Sequence, residues 1–340
     1  MLDLLKRLSL ARGVSGDEGG IRKLITFELK PYVTDIYVDN LGNLIAYKKG
    51  MDSSKKVMAA AHMDEVGLVV KHITDEGFLR CMPMGGIDPR VVLGRRVLIG
   101  ERGVPGVIGT KAVHQQNKDE RSEAPDFKKL LVDIGAKNRE DALKKVALAD
   151  TAVFDSDFIL FGDGFVKGKA LDNRCGCLAL IEAAKKTALY DTYFVFTVEE
   201  EVGTKGANTS AYKIEPDIAI VVDTTTAADF EGVDEARRAS KLGSGAVIFF
   251  IESTTVYDPH SVNKARGIAD KAGIQWQSKN VAAGGLDSGA IQRSKGGVET
   301  IAIATPCRYL HSPSCVVSES DLKATVDLTS ALVTSEHLFD

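Results

Sequence analysis

The chain has 340 residues, of which 44% are hydrophobic and 26% are charged, which is ordinary for a globular protein with a large core. A net charge of −4, with both signs spread along the chain, argues against nucleic acid or an anionic membrane surface as the main partner. The N-terminal residues do not resemble a signal peptide, and no apolar run reaches the ~18 residues of a membrane span. Five cysteines without secretory context favour reduced thiols and a cytoplasmic location.

The pattern of apolar residues divides the chain into three parts. The first part predicts, in order, helices over 1–12 and up to Pro31, a hairpin of strands over 36–38 and 44–47, and a buried strand over 57–61. From about 66 to 161, dense glycines and short apolar runs are typical of a small β-barrel or sandwich. The last part returns to an α/β pattern, with strands over 193–198, 218–222, 246–251 and 300–304 and helices over 175–189, 261–272 and 319–338. The simplest organisation is one α/β domain that is split by an inserted β-rich domain.

An acidic stretch, TVEEEVG at 197–203, follows the aromatic run YFVF at 193–196 of a predicted strand. Three carboxylates at the end of a buried strand must be solvated, paired or bound to a cation. Because ligand sites of open α/β sheets form at the C-terminal ends of strands, this stretch predicts part of a metal site. The alternative is a solvated acidic turn.

Further residues that can bind a metal lie at other strand or helix ends. His62 and Asp64 follow one buried strand and Asp223 follows another, whereas Asp172 opens a helix and His311 lies in a loop. Taken singly, Asp172 could be a helix N-cap and His311 a surface residue. Together with the Glu pair, the set matches a two-metal hydrolytic centre with a bridging carboxylate. Mixed N and O ligands without thiolate suit Zn²⁺, Co²⁺ or Mn²⁺.

These segments resemble the di-metal tetrahedral (TET-type) aminopeptidases, which include glutamyl aminopeptidases and cellulase M or FrvX-like proteins. The matching stretches are AHMDEVG at 61–67, GKALDNR at 168–174, TVEEEVG at 197–203, VVD at 221–223, RYLHSP at 308–313, LVDIGA at 131–136 and GGLDSGA at 284–290. They cover nearly the whole chain in the order of the family. The resemblance implies two divalent ions per subunit, with His62 and Asp223 on one, Glu201 and His311 on the other, and Asp172 bridging both.

The same resemblance implies that Glu200 is the general base and that Asp64 orients His62. Glu199 departs from the family, which usually has Gln at this position. It is expected to support a ligand residue without binding metal itself, or to be only part of the turn. The implied fold is a zinc-peptidase-like catalytic domain, a mixed open sheet flanked by helices, over 1–66 and 162–340. A β-barrel-like dimerisation domain over 67–161 interrupts it, and family members commonly form tetrahedral dodecamers.

The function expected from these residues is the release of N-terminal residues from peptides by a metal-activated water. A related metal-dependent amidohydrolase, deacylase or dipeptidase remains an alternative. A glycoside hydrolase fits less well, because only one side of the required carboxylate pair is evident and the chain has one Trp. A non-catalytic assembly protein is a further alternative. Arg237, Arg238 and Lys241 could form a pocket for acidic side chains or only a solvated basic turn.

Overall fold

The computed structural model describes residues 1–340, except for the side chains of Asp119 and Glu120. The strands are β1 (Asp35–Val38), β2 (Leu44–Lys48), β3 (Asp52–His62), β4 (Gly67–Ile73), β5 (Leu79–Met84), β6 (Arg96–Ile99), β7 (Val104–Gly109), β8 (Leu131–Asp133), β9 (Thr151–Phe154), β10 (Ile159–Phe161), β11 (Phe165–Gly168), β12 (Tyr190–Thr197), β13 (Ile218–Thr226), β14 (Ala246–Ile248), β15 (Trp276–Ser278), β16 (Glu299–Cys307) and β17 (Cys315–Ser318). The α-helices are α1 (Leu2–Leu10), α2 (Gly19–Leu29), α3 (Pro89–Val92), α4 (Lys118–Ser122), α5 (Arg139–Leu143), α6 (Leu171–Ala184), α7 (Lys205–Ile214), α8 (Pro259–Lys271), α9 (Asp287–Gln292) and α10 (Glu319–Val333). Short 3₁₀ helices lie at Val113–Gln115, Phe127–Lys129, Glu235–Arg237 and Glu336–Phe339.

The main sheet is mixed and has the strand order β1-β2-β12-β3-β13-β16-β14-β15. Helix α6 contacts β3, β13, α1, α2 and α10, whereas α7 and α9 contact each other and β3. The apolar run of β3 from Val57 to Ala61 is at most 1% exposed. A strand that is apolar at consecutive positions must be covered on both faces, which explains the two groups of helices. The predicted mixed α/β sheet flanked by helices is therefore confirmed.

A closed barrel with the strand order β4-β5-β8-β7-β6-β9 interrupts this architecture. Its interior has its own apolar cluster, which includes Leu68, Val97 and Val132, apart from the cluster that lines the main sheet. The predicted β-barrel is confirmed. Strand β10 pairs with β11, and β11 pairs with β17. This small sheet connects the segment that follows the last barrel strand, β9, to the C-terminal part of the chain. The predicted domain boundaries at 66 and 161, and the role of the barrel in dimerisation, stay predictions.

The topology brings several strand ends to one edge of the main sheet. Strands β12, β3, β13 and β16 are parallel neighbours, and Thr197 at the end of β12 pairs with His62 at the end of β3. Strand β13 continues past Asp223 to Thr226, because its last residues pair with Thr305–Cys307 of β16. The C-terminal ends of parallel strands are where α/β folds form ligand sites. No helix in the described part of the chain is long and apolar enough to cross a membrane.

Candidate metal centre

Two groups of metal-competent side chains share one residue at this edge of the sheet. His62, Asp172 and Asp223 form the first group, and Asp172, Glu201 and His311 form the second. Within each group, the candidate ligand atoms all lie within 4.8 Å of one another. These five residues are those predicted as ligands from the sequence, so the fold brings the predicted set together from five separate places in the chain.

Asp172 lies between the two histidines. Its Oδ1 is 3.2 Å from Nε2 of His62, and its Oδ2 is 3.3 Å from Nε2 of His311. Asp172 has non-helical backbone angles inside α6, and the N-cap position of that helix is occupied by Ala170. The neighbouring Asn173 accepts a hydrogen bond from the backbone N–H of Gly176 instead, at 2.9 Å. The N-cap alternative for Asp172 is therefore not what the structure shows, and its two oxygens face two different imidazoles.

Each histidine is oriented through its other ring nitrogen. Nδ1 of His62 lies 3.2 Å from the backbone oxygen of Asp64 and 3.5 Å from its Oδ1. Nδ1 of His311 lies 2.8 Å from the backbone oxygen of Gly86, which follows the barrel strand β5. A hydrogen bond at Nδ1 fixes the tautomer and leaves Nε2 as the ligand atom. Both Nε2 atoms point toward Asp172.

The acidic stretch ends β12 in a tight turn that separates its three carboxylates. The backbone N–H groups of Glu200 and Glu201 donate to Oδ1 and Oδ2 of Asp64 at 3.1 and 3.2 Å. Oε2 of Glu201 lies 3.2 Å from Nε2 of His311, and Glu200 faces the cleft above. Glu199 has a left-handed backbone (φ +54°), and its carboxylate pairs with Lys205 at 2.8 Å. Glu199 therefore does not reach the candidate ligands.

The electrostatics of the site are those of crowded, buried carboxylates. Burial raises the pKa of Glu201 to about 8, with Asp172 adding to the effect. Burial also raises the pKa of Glu200 and of Asp223 above their ordinary values. Burial opposes protonation of His311, but the hydrogen bond that its imidazole donates to Asp172 and the charge of Glu201 raise its pKa to about 10. Such a cluster is stabilised by nearby positive charge.

The donor set fits divalent cations. It consists of two imidazole nitrogens and carboxylate oxygens without thiolate, which are ligands for Zn²⁺, Co²⁺ or Mn²⁺. Oε1 of Glu201 is buried without a hydrogen-bond partner among the described residues, which is costly unless something else binds it. The cysteines do not take part, since all five are free thiols and four of them are buried.

A cleft of about 550 Å³ opens onto these residues. Its walls include Thr224, Leu286 and Leu310 and two cations, Arg237 and Lys279. Of the three basic residues predicted as a possible pocket, only Arg237 lines the cleft, because Arg238 donates to the backbone oxygen of Val233.

Lys279 was missed because a single lysine near a strand has no distinguishing pattern. It is 5% exposed, donates to the backbone oxygen of Ala283 at 2.5 Å, and lies 4.8 Å from the centroid of the Phe249 ring. Asp287 is also buried, and it accepts a hydrogen bond from Oγ1 of Thr197 at 2.5 Å. Its place in the GGLDSGA stretch was the available signal. The hydroxyl of Ser15, a residue that the sequence analysis does not single out, donates to Oδ2 of Asp64 at 2.6 Å.

The chain is similar over nearly its whole length to known aminopeptidases. A family model described as M42 glutamyl aminopeptidase matches residues 42–328. A lysyl aminopeptidase of Pyrococcus furiosus is 32% identical, covering 97% of this chain and 96% of the relative. A glutamyl aminopeptidase of Lactococcus lactis is 30% identical, covering 98% of this chain and 96% of the relative. The Pyrococcus horikoshii TET1 peptidase, which can assemble into a tetrahedron or a large octahedral shell, is 35% identical with a TM-score of 0.88, covering 98% of this chain and 99% of that one.

Proposed function

The chain belongs to the M42 glutamyl aminopeptidase family and is a metal-dependent aminopeptidase. From this premise we propose a two-metal mechanism in which Glu200 is the general base. We assign His62 and Asp223 to one divalent cation and Glu201 and His311 to the other. Asp172, which belongs to both groups, would be shared by the two ions. The observation that carries this assignment is that the two oxygens of Asp172 face the Nε2 atoms of two different histidines.

The metals and the protein have separate tasks in this proposal. When bound, the two cations supply the Lewis acidity that activates a water and polarises the carbonyl of the first peptide bond. Glu200, which faces the cleft, accepts the proton of that water and later delivers it to the leaving amine. A carboxylate whose pKa is raised by burial is suited to both steps. Asp64 holds His62 and the Glu200 amide in place.

Membership of a peptidase family argues against the glycoside hydrolase and the non-catalytic assembly protein. The aminopeptidase names of the relatives likewise favour an aminopeptidase over a deacylase or dipeptidase. Side-chain preference needs a direct test, since the relatives are named for lysyl and glutamyl substrates. The cleft is lined by Arg237 and Lys279 but also by Asp88, so both acidic and basic substrates belong in that test.

We predict hydrolysis of aminoacyl chromogenic substrates and no hydrolysis of the same substrates with an acylated amine. The measurement uses protein stripped with a chelator and then reconstituted separately with Zn²⁺, Co²⁺ and Mn²⁺. Turnover is expected to disappear on chelation, because the buried carboxylates hold the ions that activate water, and to return with at least one metal. Turnover that survives chelation contradicts the two-metal proposal. A preference for the acylated substrates contradicts the aminopeptidase assignment in favour of a deacylase.

The relative from Pyrococcus horikoshii assembles into closed shells. We propose that this chain also self-associates, into dimers through the inserted barrel and from dimers into a tetrahedral dodecamer. In such a shell the active sites face an inner chamber, so that only unfolded or short peptides reach the clefts.

A further inference from the structure

The turn that carries Glu200 and Glu201 is held by two buried carboxylates rather than by its own residues alone. Consecutive backbone N–H groups of the turn donate outward: that of Glu199 to Oε1 of Glu18 at 3.3 Å, and those of Glu200 and Glu201 to Asp64. Glu18 is 4% exposed and Asp64 is 0% exposed. The direction in which Glu200 and Glu201 point therefore depends on where these two carboxylates lie.

A short N-terminal segment, residues 13–18, places both of them. The hydroxyl of Ser15, which is 2% exposed, donates to Oδ2 of Asp64 at 2.6 Å. The N–H of Gly16 donates to Oε1 of Glu18 at 2.7 Å, the same oxygen that accepts from Glu199. The segment is itself fixed, because the N–H of Glu65 donates to the backbone oxygen of Gly13 at 2.8 Å.

The Ser15 hydroxyl completes the hydrogen bonding of Asp64. Oδ1 of Asp64 faces Nδ1 of His62 and the N–H of Glu200, and Oδ2 receives the N–H of Glu201 and the Ser15 hydroxyl. A carboxylate with four such partners in fixed directions has one orientation. The contact with the Ser15 hydroxyl is the shortest of the four. Its removal frees the carboxylate of Asp64 to rotate, and the amides of the turn and the imidazole of His62 move with it.

We propose that Ser15 and Glu18 are positioning residues, which set the placement of the base Glu200 and the ligand Glu201 through Asp64 and the Glu199 amide. The inference rests on the proposed function. Neither residue touches a candidate metal ligand's donor atom or faces the cleft, so both act through other residues. A change in the segment 13–18 is therefore expected to change the positions of Glu200 and Glu201 at the candidate metal site.

The test compares Ser15→Ala and Glu18→Ala with variants that keep the hydrogen bond, Ser15→Thr and Glu18→Gln. Outer-shell partners of metal ligands are typically worth about 10- to 100-fold in activity or metal affinity. We expect the alanine variants to lose about tenfold or more in kcat with KM near that of the unaltered protein. Co²⁺ titration, followed by its visible absorption, should show weaker binding. The Thr and Gln variants should recover most of both losses.

The matched control is Asp17→Ala, in the same segment. The carboxylate of Asp17 accepts from the hydroxyl of Thr151 in the barrel at 2.6 Å, and among the described residues it has no hydrogen bond to the turn. Thermal unfolding of the metal-free proteins reports any general loss of stability. Alanine variants that match Asp17→Ala in kcat and Co²⁺ affinity overturn the inference, as do Thr and Gln variants that recover nothing. Glu200→Gln is measured in parallel, and turnover retained in that variant contradicts the proposed function. Unchanged kcat and Co²⁺ affinity in Ser15→Ala and Glu18→Ala contradict this inference alone.

Discussion

Three adjacent glutamates in the acidic turn differ because the backbone turns between them. Glu199 has a left-handed backbone and pairs with Lys205, Glu201 faces His311, and Glu200 faces the cleft. A non-glycine residue with positive φ is held there by its surroundings, and such residues are frequent at active sites. His311 is also left-handed, with a φ of +57°. The sequence predicts which residue types gather at this site, but not these backbone angles.

The candidate metal ligands were predictable from the sequence, whereas several residues that orient them were not. His62, Asp64 and Asp223 stand at or near the ends of apolar strands, which is a local pattern. The contact between Ser15 and Asp64 spans 49 residues, and the contact between His311 and Gly86 spans 225. No periodicity records such contacts, because they exist only after the barrel and the sheet have taken their relative places.

At the scale of elements, periodicity predicted the strands of the main sheet except β15, but it misplaced several of their ends. Strand β14, for example, was expected to end at 251 and ends at Ile248. Strand β13 was expected to end at 222 and continues to Thr226, because pairing with β16 extends it. Helix α6 was expected over 175–189 and instead spans Leu171–Ala184, so that it begins next to Asp172. Strand order was not predictable, since neighbours such as β12 and β3 lie far apart in sequence.

A buried ionic cluster joins the elements beneath the site. Glu65, which follows β3, accepts from Lys169 at 2.8 Å and from Arg174 of α6 at 3.2 Å. These three side chains are at most 4% exposed. Burial lowers the pKa of Lys169, and the charge of Glu65 opposes that effect. Two buried cations therefore depend on one carboxylate.

We predict that Glu65→Ala lowers the free energy of unfolding by about 3–5 kcal/mol, because it leaves uncompensated buried charges. Urea denaturation of the metal-free protein measures this. The control is Lys323→Ala, which removes an exposed ion pair with Asp327 on α10 and should cost no more than about 1 kcal/mol. Equal losses in the two variants would show that the Glu65 cluster contributes no more than a surface pair.

At the scale of the whole molecule, the insertion of a barrel into an α/β domain was predictable from the sequence, because glycines become denser and the apolar runs become shorter there. Its consequence for the site was not. The barrel flank supplies Gly86, whose backbone oxygen orients His311. The barrel flank therefore contributes a contact to the candidate metal centre as well as adding surface to the chain.

The proposed assembly gives a prediction at the same scale. The native mass in dilute solution should correspond to twelve chains of 36.5 kDa, or to dimers of them at lower concentration. The physical reason is that a closed shell with point-group symmetry buries the same surface on every subunit. Mass photometry measures the distribution directly. A single-chain mass at all accessible concentrations contradicts the proposal.

The central claim is that two cations share Asp172 while Glu200 moves the proton. The most direct measurement determines turnover and bound metal per chain together, for Glu200→Gln and Asp172→Asn. Glu200→Gln should retain two ions and lose at least about 100-fold in kcat, since general base catalysis contributes roughly 10²–10⁴-fold. Asp172→Asn should lose both metal and turnover, because one side chain serves both sites. Full turnover in Glu200→Gln, or two tightly bound ions in Asp172→Asn, would contradict the claim.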